Sequence, residues 1–288
     1  VHGLWKHGPI PVIGLVGGIG AGKSAVAEAL ARRGAFVLDA DRVGHALLDQ
    51  PPARDRVVRR FGPEILADPS AEPEAVAPAD ADALTDANTD PDSDPATELD
   101  ADTEANPGTD ACAESEAGTG TDAGKQAEPR ARGKARANAG PPIDRKALGA
   151  IVFADGSARR DLEAILHPRM RATFERAIDR TIRRGGHKAI ILDAALLYEA
   201  GWDELCDLVV FVDAPTSQRV DRVKSTRGWT AAELATREAA QMSLEKKRER
   251  ADAVLENNST PQLLDERVGA LWSRRLSPRS RYRPDAFE

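Results

Sequence analysis

The chain has 288 residues, enough for one large domain or two ordinary ones with a sizeable core. Its formal charge of −7 averages unlike regions: residues 67–142 hold 18 Asp/Glu against 5 Lys/Arg and carry −13, which leaves +6 on the rest, a sign suited to phosphorylated ligands or nucleic acid. Two cysteines, Cys112 and Cys206, imply no disulfide framework, and with neither a membrane-length apolar run nor the apolar centre of a signal peptide in VHGLWKHGPIP, a soluble cytoplasmic protein is expected.

In chain order, PVIGLV (11–16) is a short apolar run that ends in glycines and predicts a strand. Lys23 to Arg33 carries Val26, Ala27 and Leu30 at helical spacing, with Gly34 where a helix stop belongs. AFVLDA (35–40) predicts a second strand. Residues 67–142 are mainly Ala, Asp, Glu, Thr, Pro and Gly, contain no aromatic residue, and have Val76, Leu84 and Leu99 as their only large aliphatics. Such a segment cannot bury enough apolar area to offset its ordering entropy, so a disordered insertion is expected. The stretch from Ser157 to Gly186 predicts helix, interrupted near His167-Pro168 because proline restricts its predecessor. HKAIILDA (187–194), DLVVFVDAP (207–215) and DAVLEN (252–257) predict further strands. Residues 230–252 predict a charged helical arm with few apolar positions, exposed and mobile, and 273–288 a basic frayed tail. Nearly continuous aliphatic strands between helices indicate an α/β fold, with a parallel sheet covered on both faces.

Gly17-Gly18-Ile19-Gly20-Ala21-Gly22-Lys23-Ser24 satisfies G-x-x-x-x-G-K-[ST], with a predicted strand before it and a helix after. Glycines let the backbone curl so that N–H groups converge on phosphate oxygens, and the helix adds its positive end. The expected ATP-binding set is Gly18, Ile19, Gly20, Ala21, Gly22, Lys23, Ser24 and Ala25. Lys23 would bridge the β- and γ-phosphates, and the Ser24 hydroxyl would hold Mg²⁺. The motif alone does not choose between kinase, GTPase and ATPase. An N-K-x-D base-reading motif is missing and the chain is small for a motor, so a small-molecule kinase fits best. Such an enzyme needs a group to orient the acceptor hydroxyl, cations for transition-state charge, and a lid. Asp39 and Asp41 end the second strand, where ligand sites of open α/β sheets lie, and one of the pair also reads as a helix N-cap.

The sequence resembles the dephospho-coenzyme A kinases. The resembling stretches are GLVGGIGAGKSAVAEALARRGAFVLDADRVG, RRFGPEIL, IDRKALGAIVFADGSARRDLEAILHPRM, ALLYEAGWDELCDLVVFVDAP and AAQMSLEKKRERADAVLENNST, which cover nearly all of 11–66 and 143–272. The resemblance implies a P-loop kinase fold with a helical substrate-side region and a helical lid. It implies ATP-dependent phosphorylation of the dephospho-CoA 3′-hydroxyl with Mg²⁺; another small-molecule kinase (nucleotide or shikimate type) and a non-catalytic nucleotide-binding scaffold are the rivals. The implied partner is a small molecule, with no nucleic acid, membrane or obligate protein partner. By the same resemblance Asp41 matches the family's catalytic aspartate and Arg222 its lid arginine. Arg227 is offset by one residue. Asp39, Arg145, His167 and Pro168 fall on the substrate side, where His167 equally reads as a packed histidine at a helix break. Asp193 reads either as a Walker-B-like carboxylate reaching Mg²⁺ through water or as a strand-end cap. Gln241, Lys247 and Asp252 keep family spacing, and Asn257 and Asn258 are expected near the adenine. Ala195 stands where the family usually has proline.

Overall fold

The sheet is parallel throughout; its crossovers are helical except the one over residues 194–207, which is turns and a 3-10 helix, Trp202–Leu205. The computed structural model describes residues 5–67 and 141–276. The described strands are β1 (Val12–Gly17), β2 (Ala35–Asp39), β3 (Ala189–Asp193), β4 (Leu208–Asp213) and β5 (Ala253–Glu256), in the order β2-β3-β1-β4-β5. Their register pairs Ile13 with Ile191 and Leu208, and Asp39 with Asp193. The helices are α1 (Lys23–Ala31), α2 (Ala40–Leu48), α3 (Pro51–Phe61), α4 (Arg145–Ala154), α5 (Gly156–Arg184), α6 (Thr216–Arg227), α7 (Ala231–Ala239), α8 (Leu244–Glu249) and α9 (Pro261–Leu271). A π-helical turn, Trp272–Leu276, follows α9.

Side-chain alternation divides the core in two. Val12, Val16, Ile190, Leu192, Val209 and Phe211 join the core beneath α2, α3 and α5. Ile13, Leu15, Ile191, Val210 and Val212 join the opposite one beneath α1 and α9. Each strand is therefore apolar at nearly every position, which is why PVIGLV and its counterparts are legible as buried strands.

Two expectations are corrected. Helix α5 runs unbroken through His167-Pro168. An interior proline costs about 3 kcal/mol, but Leu166, Met170, Phe174 and Ile178 on one face are all buried, and each contributes roughly 1.5–3 kcal/mol. Residues 230–252 form two short helices, α7 and α8, and both are anchored. Leu234 and Lys247 are fully buried, and Met242 and Leu244 pack on the core.

Residues 68–140 of the expected insertion at 67–142 and most of the basic tail lie outside the described residues, as does Cys112. The residues flanking the insertion are described, and they are clamped together. Leu66 and Ile143 form an antiparallel bridge, Ala67 N–H donates to Pro142 O at 2.9 Å, and Asp144 N–H donates to Ile65 O at 2.7 Å. The chain thus leaves and re-enters the domain at one point, so a long excursion there adds little closure entropy.

Candidate active site

The glycine loop between β1 and α1 is polarised from below. Arg222 on α6 donates to Gly20 O and Ala21 O, both at 3.2 Å, and the buried Asn257 donates from Nδ2 to Ala21 O at 2.8 Å. With these carbonyls held on one side, the loop's N–H groups are left for the other, which makes an anion nest. Glycine is required here by both conformation and space. Gly20 and Gly22 have φ of +76° and +89°, and a Cβ on Gly22 would lie 2.2 Å from Asn257 Nδ2. Lys23 opens α1, and the exposed Ser24 and Ala25 follow on its first turn.

Charges from four elements act on Lys23. Burial lowers its pKa most, the carboxylates of Asp193 and Asp41 raise it, and the cations of Lys247 and Arg227 lower it. The exposed Asp41 lies in the first turn of α2. Asp39, two residues earlier, caps that helix by accepting Arg42 N–H at 3.1 Å. Asp193 ends β3 directly beside Asp39. Its pKa is pushed up to about 6, first by burial and then by Asp39 and Asp41, against the pull of Lys23. Asp41, Asp193 and Lys23 thus share one electrostatic neighbourhood at the carboxyl end of the sheet.

The remaining expected residues are placed as follows. Arg222, expected to clamp phosphate, directs its donors to loop carbonyls, Asn257 O and Gln218 Oε1. Arg227, at the end of α6, is the arginine whose charge reaches Lys23. Arg145 pairs with Asp49 at 3.1 Å. His167 stands edge-on to the buried Trp202, ring centroids 5.1 Å apart, and burial lowers its pKa. Lys247 donates to Ala195 O at 2.8 Å, pairs with Glu199 at 2.9 Å, and donates to Gln241 Oε1 at 3.3 Å. Asp252 accepts Val209 N–H at 2.6 Å, which ties β4 to the start of β5. Asn258 accepts Arg267 at 2.8 Å. Arg219 and Glu238, absent from the sequence reading, form an ion pair against the loop. Each sits on a charged helix with nothing in its spacing to separate it from solvent-facing neighbours.

Among the described residues no group of three or more His, Cys, Asp or Glu could cage a metal. The donor set nonetheless suits Mg²⁺, which keeps several waters and binds through one or two protein oxygens plus substrate phosphates. A hydroxyl, Ser24, is exposed on the loop side, and the carboxylates of Asp193, Asp39 and Asp41 act on one another at the carboxyl end of the sheet.

A family model described as dephospho-CoA kinase matches residues 11–71 and 131–262. The chain is 33% identical to a dephospho-CoA kinase of Symbiobacterium thermophilum, over 91% of this chain and 80% of that one. It is 32% identical to one of Geobacter sulfurreducens, over 92% and 98%. Among solved structures, TT1252 from Thermus thermophilus superposes with a TM-score of 0.57 at 25% identity, covering 92% of this chain and 97% of that one. A dephospho-CoA kinase from Campylobacter jejuni, 17% identical with a TM-score of 0.51 and coverages of 91% and 95%, shares the fold. The polarised glycine loop and the carboxylates facing its lysine thus sit within a match spanning both halves of the domain: the chain belongs to the dephospho-CoA kinase family.

Proposed function

We propose that the site around Lys23 carries the family's reaction, ATP-dependent phosphorylation of dephospho-CoA at its 3′-hydroxyl, the last step of coenzyme A synthesis. The observation that carries the assignment is the convergence of Asp41 and Asp193 on Lys23 from separate strand ends. The loop from Gly18 to Ala25 binds the ATP phosphates through its N–H groups, and Lys23 adds a positive charge at the transferring group. Asp41 accepts a hydrogen bond from the ribose 3′-hydroxyl and takes its proton as the oxygen–phosphorus bond forms and the bond to ADP breaks. Because the transition state is loose, positioning supplies most of the benefit. Asp39 holds the first turn of α2, and so Asp41, in place. Arg222 and Asn257 keep the loop carbonyls turned away. Arg227 supplies further positive charge near Lys23.

Ser24 and, through water, Asp193 would hold Mg²⁺, which when bound neutralises charge on the β- and γ-phosphates. Arg145 and His167 belong to the substrate side, where Asp49 and Trp202 fix their orientations. The reaction needs no membrane, nucleic acid or protein partner, and the expected location is the cytoplasm. No helix among the described residues is long and apolar enough to cross a membrane.

Asp41→Asn tests the assignment. ADP release with dephospho-CoA is expected to fall by about two to four orders of magnitude, the range for loss of a positioned acid–base group, with ATP affinity nearly unchanged. Wild-type turnover in that variant would remove Asp41 from the mechanism. Preference of the unaltered protein for a nucleoside monophosphate or shikimate would replace dephospho-CoA as acceptor.

A further inference from the structure

The phosphate loop is already occupied by an anion of the protein's own. Glu238, near the end of lid helix α7, accepts the Ile19 N–H through Oε1 at 3.1 Å, and the same oxygen is paired with the Arg219 guanidinium. Arg219 is 4% exposed and lies against the loop, its Nη1 reaching Ile19 O at 3.5 Å. Its Nε is buried with no hydrogen-bond partner among the described residues. A Cβ on Gly18 would come within 2.7 Å of Arg219 Nη1 and 3.0 Å of Glu238 Oε1, so the pair sits directly on the loop backbone.

The neighbouring residue closes the lid at a second point. The Arg237 guanidinium stacks 4.0 Å from the Trp229 ring centroid and 4.4 Å from that of Phe153, on substrate-side helix α4. Phe153 is 65% exposed even with this contact in place. Consecutive side chains of α7 thus reach two separate places, one with a cation on the Trp229 and Phe153 rings and the other with a carboxylate on the phosphate loop.

We propose that Glu238 is an internal phosphate surrogate that latches the lid over the empty loop, and that the terminal phosphates of ATP displace it. This rests on the loop being the ATP phosphate site. The exchange is electrostatically balanced. Leaving a buried guanidinium without an anion is costly, and a phosphate oxygen offers Arg219 and the Ile19 N–H the acceptor that the carboxylate gives up. Its spare Nε–H gives phosphate a donor that Glu238 does not use. Nucleotide must therefore compete with a tethered carboxylate, and the latch sets the affinity for ATP and the opening of the lid together.

Isothermal titration of ATP, and of inorganic tripolyphosphate as a base-free probe, into wild type, Glu238→Gln and Glu238→Asp tests the latch. A loop nine-tenths latched binds about tenfold more weakly than a free one. Glu238→Gln should therefore bind both probes about tenfold more tightly. Glu238→Asp, which keeps the charge but withdraws it by one methylene, should fall between. Without ligand, Glu238→Gln should melt lower than wild type, and ATP should raise its Tm by more, because Arg219 has lost its anion until phosphate arrives. Leu234, not the half-buried Glu238, anchors α7, so both variants should fold. Unchanged or weaker binding in Glu238→Gln, beside normal wild-type binding, would overturn the latch and leave the loop assignment standing. Failure of wild type to bind either probe would overturn both.

Discussion

The two walls of the cleft are held by opposite means. On the loop side, Arg222 and Asn257 take backbone carbonyls, so every contact stabilises one curvature of the glycine segment. On the carboxylate side, strand register sets Asp39 against Asp193, and burial together with the charges of Asp39 and Asp41 drives the Asp193 pKa up to about 6. The first wall takes its partners from the protein itself; the second gathers Asp39, Asp41 and Asp193 near one lysine, a donor set suited to a hydrated cation. Changes to the loop wall should therefore appear as lost nucleotide affinity, and changes to the carboxylate wall as altered dependence on pH and Mg²⁺.

Arg222→Ala is the sharpest way to break the loop wall. Hydrogen bonds to charged groups contribute about 1.5–3 kcal/mol, so the KM for ATP should rise about tenfold or more while kcat stays within roughly threefold. Steady-state kinetics distinguish this brace from a clamp on the transferring phosphoryl group. A clamp would lower kcat and leave the KM for ATP nearly unchanged.

Asp193→Asn probes the opposite wall and should have a smaller, two-signed effect. The folded-state pKa of Asp193 lies above its ordinary value of 3.8. The folded protein therefore binds the proton more tightly than the unfolded chain, and this group's contribution to stability is lost as pH rises from about 4 to about 6. Without ligand, the variant should melt higher than wild type at pH 7, and the difference should shrink as pH falls through 6 towards 4. The same change should weaken apparent Mg²⁺ affinity by about 10- to 100-fold, as loss of an outer-shell carboxylate typically does. Melting curves across pH, and Mg²⁺ titrations of turnover, read the two effects separately. A variant that melts lower at pH 7 would mean that Asp193 is paired rather than strained.

The contrast between the walls also explains what the sequence made legible. The loop is contiguous, and its glycines, lysine and serine announce themselves without reference to the rest of the chain. Asp39 and Asp41 were readable as a pair because both follow one strand. That Asp39 caps α2 and leaves Asp41 at the cleft depends on where the helix begins, which was an open choice from residues alone. Asp193 could be placed at a strand end, but its raised pKa comes first from burial and then from Asp39 and Asp41, which the sheet brings beside it from far earlier in the chain. Helix α5 was misread because proline's local rule is strong and the buried face that overrides it becomes visible only against the sheet. The charged arm differs from its expectation because Lys247 and Arg219 look like solvent-facing charge; burying them requires partners 52 and 19 positions away, Ala195 for Lys247 and Glu238 for Arg219.

Ala195 offers the smallest test and bears on both walls, since it follows β3 and meets the lid. The family's usual residue there is proline, yet the contact it makes is through its carbonyl, which accepts Lys247 Nζ at 2.8 Å. Proline keeps that carbonyl, so Ala195→Pro should leave kcat and KM unchanged. By restricting the unfolded chain it should raise stability by about 0.4–1 kcal/mol, provided the native backbone angles suit it. A stabilised variant with unaltered kinetics would place the function of this position in its backbone oxygen. A loss of activity with the fold intact would mean that the turn after β3 has reorganised around alanine, and that Lys247 holds a different geometry here than a proline at 195 would allow.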